Sequence, residues 1–205
     1  MKLFYFPGAC SLGIHILLEE IGAPYEAQSV DLMSGEQYRP EFVAINPKSK
    51  VPVLVLDDGA VLTEWPAIAT YLGVTNMGAG LLPMDALLIA RIMEAVTHIN
   101  ATMHMQGFAR VLFPANFAAN PDEKDAVQEK GRQIMAKGFD LLAASWGDNE
   151  YVAGAFSLAD AALFYITFWW KRFVKLALPP AIEAHYTRML ARPAVQRAMT
   201  AENLN

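Results

Sequence analysis

The only cysteine of the chain, Cys10, follows Pro7-Gly8-Ala9 and precedes Ser11, where a short apolar run gives way to a helical pattern. The first N–H groups of a helix lack intrahelical partners, and the dipole there is positive. Both favour a thiolate, so a thiol at this point is expected to have a depressed pKa and to act as a nucleophile. Ser11 places a hydroxyl donor at the same spot. The alternative is a buried, inert cysteine that behaves as a small hydrophobe.

Two further places could hold a ligand. Val51-Pro52 opens an apolar run after Asn46-Pro47-Lys48-Ser49-Lys50. Proline cannot donate to a ladder, so it belongs at the first residues of a strand or on an edge. With a cis bond at Pro52, the Val51 N–H and C=O could face outward and pair with an extended peptide as an added strand. A plain turn proline is the alternative. Glu64-Trp65 follows Leu62-Thr63 and begins a helical pattern. A helix start binds carboxylates through free N–H groups, and a glutamate there pairs with an ammonium. The alternative is a cap in which Thr63 closes the helix and Glu64 complements its dipole.

The elements that must position these residues fall into two parts. The first alternates strand and helix: Leu3 to Phe6, a helix over 11–21 closed by Gly22, a strand from Tyr25 to Leu32, and a short helical turn from Pro40 to Ile45. A strand from Val51 to Leu56, a hairpin at Asp58-Gly59 into Ala60-Val61-Leu62, and a helix over 64–72 complete the order β-α-β-α-β-β-α. Gly78, Gly80 and Pro83 then mark a linker, placed at 76–84 between modules over 1–75 and 85–205. Helical patterns follow over about 84–112, 123–145, 158–176, 180–191 and 194–200. The fold class is thus α/β followed by an all-helical bundle.

The 205 residues contain 54% apolar and 18% charged side chains, against a usual charged share of about 25%. That excludes a disordered chain and points to a large core or a buried subunit interface. A net charge of −5 builds no broad basic face, so no nucleic-acid partner is expected. One cysteine excludes an intrachain disulfide and suits a reducing, cytoplasmic location. The apolar run from Ala161 to Trp170 is shorter than the about 20 residues that span a bilayer, and the N-terminus is too soon broken by Pro7 for a signal peptide, so no membrane partner is expected. His98 and His104 lie six apart, off the spacing of a helical metal site, so no metal is expected.

Taken in order, Lys2-Leu3-Phe4-Tyr5-Phe6-Pro7-Gly8-Ala9-Cys10-Ser11-Leu12, Gly35-Glu36-Gln37, Asn46-Pro47…Lys50-Val51-Pro52 and Leu62-Thr63-Glu64 resemble the cytosolic glutathione transferase superfamily, bacterial beta and theta types above all. Ser157-Leu158-Ala159-Asp160 resembles the capping box opening the central helix of that family's helical domain. The resemblance implies a thioredoxin-like first domain, an all-helical second domain, a homodimer, and glutathione as cosubstrate with no other cofactor. It implies that Cys10 contacts the glutathione sulfur or forms a mixed disulfide with it, with Ser11 a donor to the sulfur. Val51, preceding the family's cis-proline Pro52, would clamp the cysteinyl part. Lys50 and Gln37 would approach the glycyl end, and Glu64 would hold the γ-glutamyl ammonium.

Departures from the family pattern are visible too. Trp65-Pro66 stands where a small polar residue usually binds the γ-glutamyl carboxylate, which implies a reshaped glutathione site with Trp65 beside the ligand. Ser49 replaces a common glycine. The family's thiol-reaching histidine on the first long helix falls near His104, one residue out of register, and a one-residue slip on an α-helix turns a side chain by about 100°. Met103, His104, Phe108 and Phe113 are candidates for the electrophile pocket, with ordinary core packing the alternative. The expected activity is conjugation of glutathione to a small hydrophobic electrophile, or disulfide exchange through Cys10. The alternative is a catalytically weak ligand-binding or partner-binding protein on the same fold.

Overall fold

The computed structural model describes residues 1–204. The chain divides into two compact units: Met1–Pro83 together with the chain from Leu190 onward, and Met84–Met189. The break between them falls at Pro83 and Met84, and the last stretch of the chain groups with the first unit. It returns to the first unit because helix α9 (Pro193–Ala201) packs on α1 (Ser11–Ile21).

Unit 1 is a mixed four-stranded sheet in the order β2-β1-β3-β4, with β1 Lys2–Tyr5, β2 Glu26–Ser29, β3 Val53–Val55 and β4 Val61–Thr63. β1 pairs β2 in parallel, and β3 runs antiparallel to both β1 and β4. The parallel pair needs a crossover, which α1 supplies. Gly22 ends α1 at φ 70°, and its N–H reaches the Leu18 carbonyl at 3.0 Å. The short helix α2 (Pro40–Val43) lays Phe42 edge-on against Phe4, with ring centres 6.0 Å apart. Phe4, Val30, Phe42, Val51 and Val53 form one buried cluster. The side chain of Val51 is thus anchored in the core beside the strand it introduces. Helix α3 (Trp65–Thr75) follows β4.

Unit 2 is helical. The helices are α4 (Ala86–Thr97), α5 (Ala109–Leu112), α6 (Lys124–Trp146), α7 (Leu158–Trp169) and α8 (Pro180–Leu190), the last running to the unit boundary. Every residue of α7 is buried, as expected of a helix that is apolar all round and central to its bundle. Its start is the expected capping box. The Ser157 N–H donates to Asp160 Oδ2 at 2.8 Å, and the Ser157 hydroxyl accepts from the Ala159 N–H at 3.3 Å. Asp160 does more than cap. Its Oδ1 accepts from the Val152 N–H at 2.9 Å and lies 3.0 Å from His185 Nε2, both side chains fully buried.

The first long helix departs from a continuous α pattern. Between α4 and α5, His98–Phe108 winds as a π-helix, with i→i+5 bonding. The expected α spacing over 84–112 is corrected here, and a register counted in α-helical steps does not place His104 in a π-helical stretch. Three glycines let α6 approach this segment closely. A Cβ on Gly131 would lie 2.6 Å from the Gly107 carbonyl oxygen, and one on Gly138 would lie 2.6 Å from Met103.

Candidate active site

The pairing of β3 with β4 brings two loops together. Val53 faces Thr63, so the residues preceding Val53 lie across from those following Thr63. The Lys48-to-Pro52 segment and Glu64-Trp65 therefore meet beside the start of α1, where Cys10 sits. The Val51–Pro52 bond is cis.

Cys10 is the N-cap of α1 and itself has helical φ and ψ. Its thiol donates to the Val51 carbonyl at 3.6 Å. The residue is partly exposed, but its sulfur lies inside, and burial pushes the thiol up to about 12. The Cys10 and Ser11 backbone N–H groups and the charge of Lys50 pull the other way, while Glu64 adds to the rise. The depressed pKa expected from the helix start is therefore corrected: desolvation outweighs the helix-end donors and the lysine.

Two other expectations change with geometry. Ser11 is fully buried, and its hydroxyl donates to the Phe6 carbonyl and accepts from the Phe6 N–H, both at 3.3 Å. That hydroxyl ties α1 to the end of β1. Trp65 is buried at 3% exposure, and its indole N–H donates to the Cys10 carbonyl at 3.1 Å. The side chain braces the cysteine loop from within the core, which corrects the expectation of an indole facing the ligand.

Glu64, Lys50 and Gln37 differ in exposure and partners. Glu64 is exposed and adopts φ 72°, a left-handed conformation that costs a non-glycine residue about 1–3 kcal/mol and is characteristic of ligand clamps. It is the N-cap residue of α3 without a capping side chain, so the alternative of Thr63 as cap does not hold. Lys50 is exposed. Gln37 is buried, with its Nε2 donating to the Leu32 carbonyl at 3.4 Å and its Oε1 without a partner.

Two residues at this corner were missed from sequence. Lys48 Nζ donates to Glu64 Oε1 at 2.7 Å and to Thr63 Oγ1 at 2.9 Å. Glu202, in the turn after α9, accepts from the Gly8 N–H at 2.8 Å and lies 2.8 Å from His15 Nδ1, with both side chains fully buried. The first was findable, since a β3–β4 hairpin puts the segment before Val51 opposite Glu64. The second joins residues 194 apart and has no local signal.

In unit 2, His104 Nδ1 lies 3.4 Å from the Tyr165 hydroxyl, which donates to Asn100 Oδ1 at 3.1 Å. The imidazole also stands edge-on to Trp169, with centres 4.8 Å apart. The other three pocket candidates separate. Met103 is fully buried against Gly138, Phe108 is buried and stacked on Trp169 at 4.7 Å, and Phe113 is exposed. Met103 and Phe108 are therefore core residues, because the π-helical turn directs them toward α6 and α7. A separate groove of about 680 Å³ lies between α4 and the end of α6, lined by Arg91, Glu94, His98 and Trp146 among others and by none of these four. Among the described residues, no three His, Cys, Asp or Glu side chains are grouped to hold a metal. Nor is any helix among them long and apolar enough to cross a membrane.

A small mixed sheet with a cysteine at its first helix start, followed by a bundle around a capped central helix, defines a thioredoxin-like domain with an all-helical partner. The model of the glutathione S-transferase N-terminal domain matches residues 8–75, and that of the C-terminal domain matches 100–193. Glutathione S-transferase GstA of Escherichia coli O157:H7 is 36% identical over the whole of both chains. A glutathione S-transferase structure from Xylella fastidiosa superposes with a TM-score of 0.91 at 30% identity, covering 100% of this chain and 99% of that one. A glutathione transferase homologue from Sulfitobacter, with bound glutathione, gives 0.89 at 30% identity over 100% and 98%. The chain belongs to the glutathione S-transferase family.

Proposed function

We propose that this protein binds glutathione along the Cys10, Val51 and Glu64 corner of unit 1 and conjugates the glutathione sulfur to a small hydrophobic electrophile. The observation that carries this reading is the convergence of three polar features on one corner. They are the helix start at Cys10, the Val51 carbonyl 3.6 Å from its thiol, and the exposed Glu64 carboxylate. Val51 would receive the cysteinyl backbone and Glu64 the γ-glutamyl ammonium. Lys50 and Gln37 would face the glycyl end. Such a tripeptide is recognised as an added strand, with charged groups fixing its ends.

The state of Cys10 favours conjugation over disulfide exchange. A thiol raised to about 12 is protonated at neutral pH, and the rise opposes ionisation by roughly 4 kcal/mol. Glutathione's own thiol, with an ordinary pKa near 8.5, is the easier anion to form. Cys10 then acts as a hydrogen-bond donor beside that sulfur.

The test is turnover of an activated chloroarene with glutathione by the wild type and by Cys10→Ala. Turnover by the wild type, retained within about tenfold in the variant, supports conjugation through the glutathione sulfur. Loss of all activity in the variant, together with a glutathione–Cys10 mixed disulfide detected by mass in the wild type, would shift the reading to disulfide exchange. A homodimer is part of the proposal. Light scattering at micromolar concentration should then give roughly twice the 22.6 kDa of one chain, and a monomer counts against it.

A further inference from the structure

The start of α3 is poor in anion-binding donors. Pro66 has no N–H, the Ile68 N–H is already bonded to the Glu64 carbonyl at 3.0 Å, and the Trp65 indole is committed to Cys10. A γ-glutamyl group carries an ammonium and a carboxylate on the same carbon. A carboxylate placed here with its ammonium on Glu64 needs a further cation to balance it.

That cation is already next to Glu64. Lys48 Nζ is 2.7 Å from the Glu64 carboxylate and steadied by Thr63 at 2.9 Å. Both charged side chains are more than half exposed, at 51% and 60%, so the pair holds itself together weakly and can open for a ligand. Backbone geometry fixes the two ends of the pair. Glu64 is held at φ 72°, and Lys48 is followed by Ser49 at φ 54°.

We propose that Lys48 and Glu64 form one receptor for an α-amino-acid zwitterion, with Glu64 taking the ammonium and Lys48 donating to the α-carboxylate. The Lys48–Glu64 ion pair is exchanged for two ion pairs to the ligand. Lys48 thereby replaces the hydroxyl that Trp65 lacks and the N–H that Pro66 lacks, and it makes the site selective for a free amino-acid end. The inference rests on the proposed binding of glutathione.

The experiment measures binding of three peptides by calorimetry to the wild type, Lys48→Met and Lys48→Arg. The peptides are glutathione, 4-aminobutyryl-Cys-Gly (no α-carboxylate) and glutaryl-Cys-Gly (no α-ammonium). Lys48→Met should weaken glutathione about tenfold while leaving the decarboxylated peptide within about twofold, and Lys48→Arg should stay within about threefold of wild type for glutathione. Glutathione binding by Lys48→Met that equals or exceeds wild type overturns the proposal, because Lys48 would then only block the ammonium site. Equal loss for glutathione and the decarboxylated peptide overturns it too, since the lysine would then act through structure. If the wild type binds none of the three peptides, the glutathione reading itself falls, and this inference falls with it.

Discussion

The cysteine corner of unit 1 and the His98–Phe108 segment of unit 2 both concentrate chemically able side chains, but they are built differently. At the corner, backbone turns decide where each group goes, and buried polar contacts pin the turns. Ser11 holds Phe6, Trp65 holds the Cys10 carbonyl, and Glu202 holds Gly8. In the helical segment, close packing decides. Gly131 and Gly138 let α6 press onto the π-helix, and Met103 and Phe108 are drawn into the core. Polar pinning leaves functional groups at the surface of the fold, whereas close packing consumes them as filling.

The sharpest test of polar pinning is Glu202. Its carboxylate is fully buried with a backbone donor and an imidazole as partners. Glu202→Ala leaves both without an acceptor and should cost about 3–5 kcal/mol of stability in urea unfolding. Glu202→Gln keeps one oxygen for the Gly8 N–H and should cost less. If the alanine variant loses under 1 kcal/mol, the cysteine loop is held by packing after all, and the contrast fails.

Packing in unit 2 is tested by Gly131→Ala. The added methyl would lie 2.6 Å from the Gly107 carbonyl oxygen, a backbone atom that cannot swing aside. Overpacking of this kind should cost about 2–3 kcal/mol. An unchanged urea midpoint would mean that the π-helix gives way, and that its winding adapts to α6 instead of fixing it.

A smaller effect probes the balance of forces at Cys10. With its thiol raised to about 12, alkylation by iodoacetamide should speed up about tenfold per pH unit from 7 to 10 without levelling off. A plateau near pH 9 would show that the helix start wins over burial. Stability follows the same sign. The folded thiol keeps its proton while the unfolded one releases it, so the contribution is complete below about pH 9 and is lost as pH rises toward 12. Wild type should therefore lose about 1.4 kcal/mol per pH unit relative to Cys10→Ala across that window.

How much of this was legible in sequence follows the same division. The strand and helix order of unit 1, the Gly22 stop and the Ser157–Asp160 box rest on local signals, and all appear in the structure. Cys10, Val51 and Glu64 were placed at element boundaries by proline, glycine and polar punctuation. Ionisation at Cys10 was misjudged because a helix start is visible in sequence and desolvation is not. Trp65 was misplaced because its partner, the Cys10 carbonyl, lies 55 residues away. Met103 and Phe108 stayed open between pocket and core because π winding leaves no simple mark in residue spacing.

The smallest effect concerns Ser49, where sequence and structure meet at one dihedral angle. Ser49 stands at φ 54°, in the left-handed region, within the loop that carries Lys48, Lys50 and Val51. That conformation costs a residue with a Cβ about 1–2 kcal/mol, which accounts for the glycine the family resemblance led one to expect there. Glycine loses more conformational entropy on folding, about 0.5–1 kcal/mol, so the two nearly cancel. Ser49→Gly should therefore stabilise by only about 0.5 kcal/mol, read as a small upward shift of the urea midpoint. The informative outcome is binding. If Ser49 only bears strain, glutathione affinity stays within about twofold in the variant. If the serine's stiffness holds Lys48 against Glu64, the variant should gain stability and lose affinity together, which would extend backbone pinning to the exposed rim of the corner.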